Sequence, residues 1–172
     1  MIDLALLVLR LTLGSLLAGH GAQKLFGSFG GPGMEGTKGM MGKMNLEPRE
    51  AWAGLAGGSE FGGGVLTALG FLNPFGPMGV LGAMGMASTT AHAGKPIWGT
   101  AGGPELPVTN MSIAVALMLA GPGKYSLDEA LGIKLPRWLH IVALLATLAG
   151  IGYGTMTHRA GAAQTAQPSE QG

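Results

Sequence analysis

The chain has 172 residues, of which only 11% are charged and 47% are hydrophobic, with 33 glycines besides. A soluble domain carries about 25% charged residues, so this composition points to a membrane protein, and a formal net charge of +1 excludes bulk attraction to nucleic acid. The absence of cysteine excludes disulfides, thiolate-held iron–sulfur clusters, a CxxC redox pair and a cysteine nucleophile.

The N-terminus, MIDLALLVLRLTLG, is apolar almost from its first residue. It lacks the basic flank and small-residue cleavage site of a secretory signal, so it reads as a retained first membrane helix over residues 4–26. Three basic groups interrupt it: Arg10, His20 and Lys24. At about 100° per residue, Lys24 lies roughly 40° and His20 roughly 80° around the helix from Arg10, so all three share one sector. That sector is expected to face protein. Lys24, near the helix end, also has the length to snorkel to the membrane surface.

Residues 27–51 are broken by glycine and proline and read as a loop. Phe29, Met34, Met40, Met41 and Met44 make it too apolar for a solvated linker, so it is expected to fold over the bundle mouth or against a partner. Its GGPG turn resembles a phosphate-binding loop only superficially, because no GK[ST] follows at the required spacing.

The second span is predicted over residues 52–72, WAGLAGGSEFGGGVLTALGFL. Glu60 falls near its middle, where a carboxylate exposed to lipid would cost several kcal/mol. It must face protein, pair with a cation or carry a proton. Arg10 is deep enough in the first helix to be its expected partner. Glycines on both sides of Glu60 would let neighbouring helices approach closely. A structural ion pair and a proton or substrate site both fit this residue.

Asn73-Pro74 signals a turn, and a third span follows over residues 75–93. Its Met78, Met84 and Met86 suit Cu(I) as soft ligands, but apolar packing explains them more simply, and no metal site is expected. His92 at the end of this span, with Glu105 in the next loop and Glu60, could relay protons. The HExxH and HxxEH metal spacings are absent from the chain. A fourth, short span is predicted over residues 106–120. Ser126 to Glu129 reads as a capping box opening a short surface helix. The fifth span, residues 136–157, begins at Pro136 and carries Trp138 and Tyr153 as interface anchors. Residues 158–172 are expected to form a loose tail. The predicted fold class is therefore all-α, a polytopic transmembrane bundle with its termini on opposite sides. Counted over short loops, lysine and arginine place the C-terminus in the cytoplasm.

Several stretches together resemble the DoxX family of small bacterial and archaeal membrane proteins: RLTLGSLLAGHGAQKLFGSFGGPGMEGT, AGLAGGSEFGGGVLTALGFLNP, AHAGKPIW, GGPELP and GPGKYSLDEAL. They cover about residues 10–131, and HGxxKLFG followed by GGPG is the most distinctive. The family pattern falls on Arg10, His20, Lys24, Glu60, His92 and Glu105. The resemblance implies a four-helix membrane core in a bacterial or archaeal cytoplasmic membrane, with the fifth helix as an addition. A related archaeal pair acts as a thiosulfate:quinone oxidoreductase, and other members are linked to oxidative-stress and thiol-redox systems.

Three functions follow as expectations. The first is an accessory or structural subunit of a larger membrane complex, with other membrane subunits and lipid as partners. The second is a quinone-linked oxidoreductase subunit. There Glu60, His92 and His20 would handle protons, and Arg10, Lys24 and Glu105 would hold an anion or a structural ion pair. The third is a small-solute or proton transporter, for which the chain lacks internal repeats. No intrinsic cofactor is expected, and quinone is the one small-molecule partner the resemblance suggests.

Overall fold

A computed structural model describes residues 1–166 of the chain. It is all-α, with seven α-helices among the described residues: α1 (Ile2–Phe26), α2 (Gly33–Lys43), α3 (Arg49–Leu69), α4 (Phe75–Thr89), α5 (Glu105–Ala120), α6 (Leu127–Leu131) and α7 (Arg137–Ala166). Glycines set several of the ends. α1 stops at Gly27 and α3 at Gly70, both in the left-handed conformation, where the Gly70 and Phe71 N–H groups return to carbonyls of the last turn.

The α1–α3 pair is the centre of the bundle, and glycine makes it possible. The two helices run antiparallel. Gly14 sits against Gly64 and Ala68, Gly21 against Phe61, and Gly57 against Leu25. A Cβ on Gly14 would lie 2.5 Å from the Ala68 nitrogen and 2.6 Å from the Gly64 oxygen, so the backbones themselves are in contact. The opposite face of α3 repeats the device, with Gly63 against Gly76, Gly79 and Val80 of α4. A core of Leu6, Leu13 and Leu17 from α1, Val80, Ala83 and Met84 from α4, and Ala114 and Leu117 from α5 fills the other side. Replacing Gly64 by alanine should therefore cost about 1–3 kcal/mol by forcing the helices apart. Gly58→Ala, on the same helix with open space around its Cβ, should be neutral or slightly stabilising. Melting temperatures of the purified variants check this, and equal values for the two would contradict the contact.

The stretch predicted as a loop contains a docked helix. α2 buries Thr37, whose hydroxyl lies 3.0 Å from the Lys24 carbonyl. Met41, Leu46 and Ala53 form a second core, joined by Met34, Met44, Trp52, Ala56 and Met86. One of the five residues expected on the bundle mouth differs: Phe29 is 82% exposed. Phe29 lies in a tight turn before α2, which points it away from the bundle.

Helix α7 runs to Ala166, so part of the stretch expected to be a loose tail from residue 158 is helical. It is held there by Gly161 against Asn45 and by the His158 ring, whose Nδ1 lies 2.6 Å from the Met44 carbonyl oxygen. The rest of the predicted tail lies outside the described residues. α7 packs mainly on α4, through Ile151 on Gly85 and Gly154 on Met86, with Thr155 donating to Thr89 at 2.8 Å. Its other face exposes Trp138, Ile141, Val142, Leu145 and Leu148. Helices α1 and α7 are long and apolar enough to cross a membrane, and α5 is apolar but shorter.

Candidate functional site

Glu60 sits in the middle of α3, 4% exposed, and its cation is Lys24 rather than Arg10. The Lys24 ammonium lies 2.5 Å from Glu60 Oε1. The helix register explains the choice. With Gly14 opposite Gly64 and Gly21 opposite Phe61, the level of Glu60 on α1 is near Lys24. Arg10 lies 14 residues earlier, about 21 Å along the helix.

Arg10 instead serves the other end of the bundle. It is 2% exposed and donates to the carbonyls of Ala68, at 3.3 Å, and Tyr125. Its guanidinium fills the space a Cβ would need at Gly70. Asp128 is the carboxylate that attracts it. That carboxylate accepts the N–H groups of Leu72 and Asn73, each at 2.7 Å. The knot ties α1, the end of α3 and α6 together. Asp128 was hidden in the sequence by the capping box around it. Ser126 does cap α6, accepting the Glu129 N–H at 3.2 Å.

Two cavities meet at Glu60. The first, about 470 Å³, is lined mainly by apolar groups from α2, α3, α4 and α7, including Met41, Trp52, Leu55, Met86 and Ile151, with Lys24 and Glu60 among its walls. The second, about 420 Å³, gathers His20, His92, Glu105 and Asn110 around the other side of Glu60. Glu60 Oε2 is buried without a hydrogen-bond partner. Three of the predicted residues, His20, His92 and Glu105, thus surround one space with Glu60. His92 Nδ1 lies 2.7 Å from the Gly102 carbonyl oxygen and donates to it, which fixes the ring. Glu105 accepts the Gly99 N–H at 2.8 Å.

The basic sector predicted on α1 does not form one anion site. Arg10 lies in its own knot, Lys24 is on the first cavity and His20 is on the second. Arg10, Lys24 and Glu105 likewise sit in three separate places, because Arg10 and Lys24 occupy different levels of α1. Among the described residues, no cluster of three histidine or carboxylate side chains suits a metal ion. Met78 and Met84 are buried in apolar surroundings, with Met84 sulfur accepting from Asn110.

The aromatic pair at the first cavity had no sequence signal. Trp52 and Tyr153 stack with ring centres 6.1 Å apart and planes 19° apart. The sequence reads Tyr153 as an interface anchor, and the two residues are too far apart in the chain for any local pattern to join them.

No curated protein matches the chain, and no solved structure does. The DoxX family model matches residues 5–93, more than half of the chain. The match spans α1 to α4 and carries Arg10, His20, Lys24, Glu60 and His92, leaving Glu105, α5 and α7 outside it. The chain belongs to the DoxX family.

Proposed function

We propose that the protein is a multi-pass subunit of a membrane complex in a bacterial or archaeal cytoplasmic membrane, and that it supplies that complex with a quinone site. Helices α1, α3, α4, α5 and α7 are the spans on this reading. Family membership, the two long apolar helices and the apolar outer faces of α1 and α7 support it.

The observation that carries the quinone reading is the unpartnered Glu60 oxygen between two cavities. A buried polar atom without a partner is costly unless it has a task or a ligand. The first cavity has the volume and apolar lining of a small-ligand site. Its polar wall offers a donor, Lys24, and an acceptor, Glu60, side by side. A carbonyl group of a flat ring accepts from Lys24, and from Glu60 when its free oxygen carries a proton, with Trp52, Met41 and Met86 against the faces of the ring.

A bound quinone supplies a two-electron, two-proton acceptor, leaving as quinol. Glu60 is placed to donate a proton into the first cavity and to be reprotonated from the second. His92, His20 and Glu105 connect that second cavity to the bundle surface, with His20 and Glu105 exposed. The electrons come from a redox subunit of the complex, consistent with an accessory role for this chain. Arg10, knotted to backbone carbonyls, is the structural charge.

Photoaffinity labelling with an azidoquinone in native membranes tests the site. Label should fall on α3, α4 and α7, at positions such as Leu55, Met86 and Ile151, and be lost with excess unmodified quinone. Label confined to the outer faces of α1 and α7, and indifferent to competitor, would overturn the reading.

A further inference from the structure

The first cavity has a side door. Leu55 lines it and is nonetheless 62% exposed, so the cavity opens on the flank of the bundle. The opening lies between α3 and α7. These helices form no extended interface, and the Trp52–Tyr153 stack joins them near one end. Gly150 is one turn from Tyr153, and Ala146 about 10 Å from it. There the lip is built of small groups, with Ser59 on α3 facing the cavity alongside Ala146 and Gly150 on α7. The surrounding surface is apolar: Leu145 is 60% exposed and Leu148 51%. Such a flank meets acyl chains and not water.

We propose that the gap between α3 and α7 is a lateral portal. The ligand's polar head enters the cavity through it from the bilayer, and the hydrocarbon tail stays threaded through the gap. The proposal rests on the cavity being a quinone site and adds the ligand's class: a lipid-tailed quinone that never leaves the membrane. The polar end lies inward, where Lys24 and the free Glu60 oxygen are. The space of about 470 Å³ holds a ring and the first carbons of a chain, so a long tail must exit. Helix α7, anchored on α4 and pinned by the aromatic stack and His158, is one doorpost. That gives the helix added beyond the family match a role in choosing the ligand.

Position 150 offers a clean test. A Cβ there meets nothing within 4 Å, so Gly150→Phe should fold, and its ring would occupy the lip. Gly152→Phe is the control: it too has open space, and it does not line the cavity. Replacing Trp98 and Trp138 by phenylalanine leaves Trp52 as the reporter, its fluorescence quenched by a quinone in the cavity. The probes are a benzoquinone with a ten-carbon chain and the same ring without the chain, titrated against protein in lipid nanodiscs. Both should quench Trp52 in the parent and in Gly152→Phe. In Gly150→Phe, binding of the tailed quinone should weaken by about tenfold or more, while the chainless ring binds as before. Equal weakening of both probes, or of neither, would overturn the portal and leave the quinone site standing. If neither probe quenches Trp52 in the parent, the quinone site and the portal fall together, and if the chainless ring alone quenches it, the portal falls.

Discussion

Glu60→Gln should lower quinone-linked turnover by about 10²–10⁴-fold, the usual contribution of a positioned proton donor or acceptor. The protein should remain folded and assembled. Glutamine has the same shape and keeps an oxygen that can accept from Lys24, now 2.5 Å from the carboxylate. What it loses is titration, and it places an amide where the unpartnered Oε2 lies between the two cavities. The measurement pairs turnover in reconstituted membranes with the melting temperature of the purified variant. Turnover within about twofold of the parent, with normal assembly, would show that Glu60 carries no proton and only pairs with Lys24. Lys24→Met is the complementary variant. It leaves a carboxylate buried without its cation, a loss worth about 3–5 kcal/mol in soluble proteins. In the membrane, uptake of a proton by Glu60 would soften that cost.

The largest effect on stability is expected at Arg10. Arg10→Ala deprives the Ala68 and Tyr125 carbonyls of their donor and removes the positive charge near Asp128. Leaving buried acceptors without their donor costs about 1–3 kcal/mol for each. Arg10→Lys should restore only part of it, since one ammonium does not reproduce the fork that reaches two carbonyls. The Leu72 and Asn73 amides, held by Asp128, should exchange with solvent faster in Arg10→Ala, whereas amides of α2 should be unaffected. Turnover per folded molecule should stay near that of the parent, because Arg10 and Glu60 lie at different levels of the bundle. A normal melting temperature for Arg10→Ala would show that the knot contributes nothing. Together the two variants separate roles that the sequence placed on one pair: one loses chemistry and keeps the fold, the other the reverse.

Composition pointed to a membrane protein, and apolar runs long enough to span as helices made the all-α class legible. The long apolar runs of α1, α3, α4, α5 and α7 and the turn residues between them marked those helices. Burial of Arg10 and Glu60 was legible from the cost of exposing either charge to lipid. The partners were not. Depth estimated from position in a helix places two charges in the same slab but says nothing about how two helices slide along each other. That register was decided by backbone contacts among Gly14, Gly64 and Ala68, and between Gly21 and Phe61. It delivered Lys24 to Glu60 and Arg10 to the Ala68 and Tyr125 carbonyls. For the same reason α2 has the sequence of a loop: its glycines weaken an isolated helix, and only docking of Thr37 and Met41 onto α1 and α3 stabilises it. The two cavities, the stacked Trp52 and Tyr153 and the gap between α3 and α7 depend on residues far apart in the chain. They exist only once the glycine faces have fixed the distances between helices.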